Sequence, residues 1–366
     1  MRVVIAGGVT GGHLFPALSV AEALQKQGHE VLYLGTQHGL EGRVALSLPN
    51  HLFDMSGLRS TQRTFWSVPL TLWRVRREAF KVLCAFLPDL LFTTGGYASV
   101  PIAMAGLKLG IPLVLLEADA YPGKANLWLA RRAHTVCLNF EECARYLPRG
   151  IRWVRTGLPL REEVYLPEVP SEQARAHFGR KPDCFTVLVV GGSQGAQALN
   201  EVVLNTVQHI PSSELQWLHI TGESHYDSVR NTAERMGLNG NYHPVPFLSG
   251  REMGLAYRAC DVVFARGGAS SLTEFALNAL PMILVPYPHS AGGHQRYNCQ
   301  ALVERGAGVM IEQQNLSPQV LSHHLLALRD CPDQRRTMGQ RAREWALADA
   351  TERILKILDA APATEA

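Results

Sequence analysis

Three short stretches gather glycines and hydroxyls where a strand gives way to a helix, two of them with a histidine or arginine as well. They read Gly7-Gly8-Val9-Thr10-Gly11-Gly12-His13, Gly191-Gly192-Ser193-Gln194-Gly195-Ala196 and Arg266-Gly267-Gly268-Ala269-Ser270-Ser271. A glycine turn at the head of a helix exposes backbone N–H groups at the positive end of the helix dipole, where anions, phosphates above all, bind. Any one such turn could instead be a tight corner whose glycines only let strand and helix pack closely. Their recurrence in one chain favours a ligand. His13 adds proton-transfer chemistry, since an imidazole titrates near neutrality and can take a hydroxyl proton; its rival role is a hydrogen bond at the helix start. Ser271 and Glu274 stand in S-x-x-E spacing, which fits a capping box as well as a ligand contact.

Several nucleotide chemistries are excluded by pattern. No turn reads G-x-G-x-x-G, and the second strand ends in "LYLGTQ" without the acid that would hold an adenine-side ribose, which argues against NAD and FAD. The chain has no P-loop and no D-x-D pair. Phosphate is therefore expected to be handled by backbone, hydroxyls and cations such as Arg161 and Arg266, with no cofactor and no metal.

These turns need strands and helices to hold them. Apolar, β-branched runs alternate with helical periodicity: "RVVIAGG", the helix from Leu14 to Gln27, "HEVLYLG", "LLFTTGG", "IPLVLLEA" and "HTVCLNF". That is the rhythm of a parallel sheet with crossover helices. Residues 151–170 lapse into a proline-rich, polar stretch that reads as a linker, after which "CFTVLVVGGSQGAQALNEVV" restarts the same grammar. The expected architecture is α/β, with two Rossmann-like doubly wound domains facing across a cleft. Their expected bounds are 1–160 and 161–344. A last helix, read as Pro332 to Ala360, has a terminal part, about 345–366, free to pack back on the first domain.

Bulk properties agree. A chain of 366 residues exceeds one ordinary core and suggests two domains. Mean hydropathy of −0.02 and a net charge of +3 point to a globular protein with no nucleic-acid partner. Seven scattered cysteines without a C-x-x-C pair fit a reducing cytoplasm rather than disulfides or zinc. The start, Met1-Arg2 followed at once by a strand, carries no signal-peptide pattern. The tract from Val100 to Leu116 is broken by Pro101, Lys108 and Pro112 and cannot be a membrane span.

Long segments resemble the MurG family of bacterial peptidoglycan glycosyltransferases, which have the GT-B fold. They include "GGVTGGHLFPALSVAEAL", "YLGTQHGLEGRV", "TTGGYASVPIAMAG", "TGLPLREEV", "VLVVGGSQGAQALN", "DVVFARGGASSLTEFALNALPMILVPYP" and "HQRYNCQALVERGAG", and together they span nearly the whole chain. The resemblance implies inverting transfer of GlcNAc from UDP-GlcNAc to the 4-hydroxyl of the muramyl sugar of lipid I, an undecaprenyl-pyrophosphate acceptor, giving lipid II.

It also implies site residues. Thr10, Gly11 and Gly12 match a donor-contact segment, Ser193 the serine of the second turn, and Arg161 the arginine after a G-N-P-V motif that here reads Gly157-Leu158-Pro159-Leu160. Ala269, Ser270, Ser271, Leu272, Thr273 and Glu274 match the segment that holds the diphosphate, with Glu274 toward the ribose. Phe247 and Leu248 match the uracil contact, and Gln295 a contact to GlcNAc hydroxyls. The family's H-E-Q-N reads Leu116-Glu117-Ala118-Asp119 here, so an asparagine becomes Asp119, while Asn126 is retained. A carboxylate accepts from sugar hydroxyls but cannot donate. His13, Glu117 and Asp119 are thus the candidate catalytic groups, Glu117 either as a competing base or as an orienting group. The rivals are another glycolipid transferase or a UDP-GlcNAc 2-epimerase on the same scaffold, and a silent UDP-sugar-binding subunit.

The stretch from Arg59 to Phe86 is the most basic and aromatic of the chain. With a helix starting near Pro69, Leu72, Val75, Ala79, Val82, Leu83 and Phe86 share a core side. Trp73 and Phe80 then form an edge beside Arg74, Arg77 and Lys81. That pattern suits either a solvated basic face or a helix lying on anionic lipid. The family resemblance favours the second, and so a peripheral position on the cytoplasmic face of the plasma (inner) membrane.

Overall fold

The computed structural model describes residues 1–42, 46–58, 67–192, 195–211, 215–238 and 240–361. Ser193, Arg59 and the rest of 59–66 lie outside the described residues. The chain forms two compact units, Met1–Leu160 with Ala348–Ala366, and Arg161–Leu347.

The first unit contains β1 (Arg2–Ala6), α1 (Gly11–Lys26), β2 (Glu30–Thr36), β3 (Asn50–Phe53), α2 (Ser67–Phe86), β4 (Leu90–Thr93), α3 (Ser99–Lys108), β5 (Leu113–Glu117), α4 (Lys124–Ala130), β6 (Thr135–Leu138) and β7 (Trp153–Arg155). Its seven strands are parallel, in the order β3-β2-β1-β4-β5-β6-β7. The central strands are apolar on both faces because helices cover both, so Val3, Val4, Ile5, Leu91, Phe92, Val114 and Leu115 have no exposed surface. Each such side chain contributes about 1.5–3 kcal/mol relative to an exposed one.

The second unit contains α5 (Ser171–His177), β8 (Phe185–Val190), α6 (Gln197–His209), β9 (Leu215–Ile220), α7 (Tyr226–Arg235), β10 (Tyr242–Val245), α8 (Gly250–Ala259), β11 (Val262–Ala265), α9 (Ala269–Leu277), β12 (Met282–Leu284), α10 (His294–Glu304), β13 (Gly308–Met310), α11 (Pro318–Asp330) and α12 (Pro332–Trp345). Its strands are again parallel, ordered β10-β9-β8-β11-β12-β13. Both units are therefore doubly wound, as the alternating runs require.

Two local readings are corrected. Residues 153–155, expected within a linker, form the edge strand β7 on β6, short and half-exposed as edges are. The expected single helix from Pro332 to Ala360 is α12 followed by α13 (Ala350–Asp359), with extended backbone at Ala346 between them. The reason is burial: Met338, Ala342 and Trp345 belong to the second unit, whereas Ile354 and Leu358 belong to the first, where α13 packs on α1.

Candidate active site

In a doubly wound sheet the ligand crevice lies beyond the carboxyl ends of the strands where the order reverses. In the first unit that point is between β1 and β4, with Ala6 paired to Thr93. Thr10 is the exposed N-cap of α1, extended at φ −124°, and its hydroxyl makes no cap bond. Gly11 and Gly12 head the helix, where N–H groups lack helical acceptors. Half-buried His13 follows, its Nδ1 2.8 Å from the Thr94 carbonyl, while the Thr94 hydroxyl donates back to His13 O at 2.9 Å. A carbonyl only accepts, so Nδ1 carries the proton in neutral His13 and Nε2 keeps its lone pair. The imidazole is thereby set in its tautomer by a backbone atom.

The next strand end connects to it. Glu117 closes β5 and is 2% exposed. Its Oε1 accepts from Asp119 N–H at 2.9 Å and its Oε2 from Asn126 Nδ2 at 2.8 Å. Asn126 Oδ1 accepts from Gly96 N–H at 3.1 Å. Gly96, at φ 80°, passes so near His13 that a Cβ there would lie 3.4 Å from Nε2. Glu117, Asn126 and Gly96 are thus linked by hydrogen bonds, and His13 lies beside Gly96. Burial, reinforced by the neighbouring Asp119 charge, raises the Glu117 carboxyl above the ordinary range against the pull of its hydrogen bonds. Asp119 itself is half-buried.

The second unit reverses order between β8 and β11, with Val190 paired to Ala265. Gly268 is the N-cap of α9, so Ala269, Ser270 and Ser271 supply the N–H groups of the first helical turn. Two expectations change here. Ser271 lies inside the helix rather than at its cap, so S-x-x-E is no capping box. Leu272 N–H already bonds Gly268 O, Leu272 is fully buried, and Thr273 turns its hydroxyl onto Ala269 O at 2.8 Å. Those two residues support the turn from behind. Glu274 instead accepts from the Tyr257 hydroxyl at 2.5 Å. Desolvation raises its carboxyl, opposed by the Tyr257 bond and the nearby Arg161 cation. Leu158, where the motif carries asparagine, is buried at 1% exposure.

Arg266 is also redirected. Its guanidinium donates to Val285 O and Pro286 O at 3.1 and 3.3 Å and to Gln313 Oε1 at 2.7 Å, and it lies over the Tyr287 ring. These partners make it a brace for the segment after β12. Gln295, on the first turn of α10, accepts with Oε1 from Gly267 N–H at 3.2 Å and Tyr287 N–H at 2.9 Å. Its orientation is therefore set, with the amide nitrogen as its donor end. In the loop after β10, Phe247 is 45% exposed while Leu248 is buried.

On α2, Val75, Ala79 and Leu83 are buried and Trp73 is 58% exposed, with the Arg77 guanidinium 5.5 Å from its ring centre. Phe80 does not continue that edge: it packs against the core, with Lys108 of α3 5.3 Å from its ring. The neighbouring helix covers this half of α2. The edge extends instead toward Leu70, 65% exposed, which the sequence reading missed. Arg74 pairs with Asp54 at 3.0 Å, and Lys81 is exposed. The Asp54 carboxyl is held far below its usual range, first by the Ser56 backbone N–H and then by His38. Among the described residues no helix is long and apolar enough to cross a membrane.

Residues 3–138 match the Glycosyltransferase family 28 N-terminal domain and residues 186–354 the Glycosyltransferase family 28 C-terminal domain. The chain is 34% identical to the UDP-N-acetylglucosamine–N-acetylmuramyl-(pentapeptide) pyrophosphoryl-undecaprenol N-acetylglucosamine transferase of Moorella thermoacetica, over 98% of each chain. Its identity to the protein of the same name from Shewanella denitrificans is 37%, over 97% of this chain and 96% of that one. The crystal structure of Acinetobacter baumannii MurG matches with a TM-score of 0.78 at 27% identity, covering 98% of this chain and 99% of that one.

Proposed function

The chain belongs to the MurG family of UDP-N-acetylglucosamine–N-acetylmuramyl-(pentapeptide) pyrophosphoryl-undecaprenol N-acetylglucosamine transferases, and from that premise we propose how its residues divide the work. The reaction moves GlcNAc from UDP-GlcNAc to the 4-hydroxyl of MurNAc in lipid I, forming lipid II with inversion at the anomeric carbon. The acceptor oxygen forms the new bond to C1 as the bond from C1 to the β-phosphate oxygen breaks. The hydroxyl proton goes to a base, and UDP leaves with the electron pair.

His13 Nε2 is the base. The observation that carries this is the Nδ1 bond to Thr94 O, which leaves Nε2, next to Gly96, as the accepting nitrogen of the residue that follows Thr10, Gly11 and Gly12 at an anion-attracting helix start. The acceptor pyrophosphate is accordingly assigned to that turn. Glu117, at 2% exposure, is the orienting group rather than the base, acting through Asn126 and Gly96, and Asp119 accepts from a sugar hydroxyl.

UDP-GlcNAc is assigned to the second unit. The N–H groups of Ala269, Ser270 and Ser271 and the α9 dipole take the charge that develops on departing UDP. Ser193 is assigned to the same diphosphate. Phe247 stacks on uracil beside the Leu248 backbone. Glu274, with Arg161 nearby, accepts from ribose, and the Gln295 amide donates to GlcNAc. Arg266 acts by holding the Tyr287 segment. Leu70, Trp73, Arg77 and Lys81, helped by Arg74, form the surface that meets anionic lipid on the cytoplasmic face of the inner membrane, where a polyprenyl-linked acceptor resides.

The deciding experiment measures UDP release from UDP-GlcNAc with and without a lipid I analogue, each with and without EDTA. Release that requires the acceptor and survives EDTA is expected. Conversion of the donor without acceptor overturns the transferase in favour of an epimerase; donor retention without turnover points to a binding subunit. Loss of activity in EDTA sinks charge stabilisation by backbone and side chains alone.

A further inference from the structure

Glu41 has no part in the roles assigned above. It stands in the short turn Leu40–Gly42 after β2, where an acid is ordinarily solvated, yet it is 1% exposed. Its two oxygens accept from Val9 N–H at 3.1 and 2.8 Å, and Oε1 also accepts from Thr36 N–H at 3.0 Å. Leu40 N–H in turn donates to Val9 O at 3.3 Å. The peptide groups on both sides of Val9 are thus tied to one turn, 32 residues away in sequence.

The residue so held is strained. Val9 has φ 75°, in the left-handed region that a β-branched side chain strongly disfavours. Such a conformation persists only where the surroundings over-determine it. The packing leaves no slack: a Cβ on Gly8, itself at φ 118°, or on Gly39 would lie 2.2 Å from a Glu41 oxygen. Directly after the strained peptide come Thr10, Gly11, Gly12 and His13. A relaxed Val9 would redirect the N-cap and the first turn of α1. The carboxylate also occupies the Val9 N–H, which limits the anion-facing donors of this turn to those that follow it.

We infer that Glu41 is a positioning residue for the transfer: its carboxylate locks Val9 in the left-handed conformation that aims the helix start and His13. The inference rests on the assignment of that turn to the acceptor.

Glu41→Gln tests it. In either amide orientation an NH2 replaces an oxygen facing Val9 N–H. The amide resonances of Val9 to Gly12 are expected to shift, and kcat/KM for the lipid I analogue to fall roughly tenfold to a hundredfold, as for a misplaced reacting group. KM for UDP-GlcNAc stays within about twofold. Adding Val9→Gly recovers part of the loss, because glycine holds a positive φ without the carboxylate. If Glu41→Gln does not fold, Glu41→Asp, which keeps the charge but withdraws the oxygens by one methylene, carries the same test. Unmoved resonances with normal acceptor kinetics overturn the inference alone. Moved resonances with normal acceptor kinetics overturn it together with the assignment of the turn to the acceptor. A fall in melting temperature with no split between acceptor and donor, and no rescue by glycine, reduces Glu41 to a folding residue.

Discussion

In the first unit Ala6 and Thr93 are register partners at the strand reversal; in the second unit Val190 and Ala265 are. A double glycine follows directly after Ala6 and Val190, and one residue later, past Thr94 or Arg266, after Thr93 and Ala265. The backbone plan is therefore the same twice, and the side chains make the difference. The first unit places an imidazole with a fixed tautomer and an acid raised by burial, with a second acid beside it. The second places helix N–H groups, an amide held by two backbone donors, and an acid that is likewise raised but faces a tyrosine hydroxyl and an arginine. On the proposed assignment both copies offer helix-start N–H groups to an anion and only the first adds proton transfer, because strand-end backbone supplies donors in either copy and only side chains supply titratable acceptors.

That contrast can be broken by mutation. His13→Ala, the largest expected effect, lowers kcat by about 10²- to 10⁴-fold while leaving UDP-GlcNAc affinity by calorimetry unchanged. A comparable loss of donor affinity would erase the division between the units. Glu274→Ala should do the opposite, weakening UDP-GlcNAc binding by about 1.5–3 kcal/mol with a smaller change in kcat. It also lowers the melting temperature, because the Tyr257 hydroxyl loses its partner.

Glu117 gives a pH signature. Its carboxyl is raised from 4.5 to about 8 in the fold, so the native state binds its proton more tightly than the unfolded chain. Its contribution to stability is full below 4.5, is lost as pH rises toward 8, and is level above that. Glu117→Gln should remove this slope from a series of melting curves; an unchanged slope would show that the acid titrates normally. The smallest effect is at the surface. Trp73→Ala and Arg77→Ala should each weaken association with anionic vesicles by about 1 kcal/mol without slowing transfer to a soluble acceptor analogue. Slower transfer to that analogue would place α2 in the chemistry rather than at the lipid.

The strand, turn and helix grammar of both units was legible in the chain because it is local. An apolar run, two glycines and an amphipathic stretch lie within one window, and His13 and Ser270 follow from position within it, whereas only the family resemblance points to Phe247 and Gln295. The edge strand β7 was missed because three half-exposed residues carry no periodic signal. The break between α12 and α13 was missed because both halves are helix-forming and only their burial in different units separates them.

The sequence alone thus determined two doubly wound domains, the glycine turns at their strand ends, and a histidine at one of them. Tertiary structure decided which carbonyl sets the His13 tautomer, that Glu274 answers Tyr257 rather than a helix cap, that Arg266 braces carbonyls, and that Glu41 holds Val9. The physical reason is range. Periodicity and capping are fixed by neighbours three or four residues apart, whereas a hydrogen bond between Val9 and Glu41, or His13 and Thr94, exists only once the sheet has set their strands side by side.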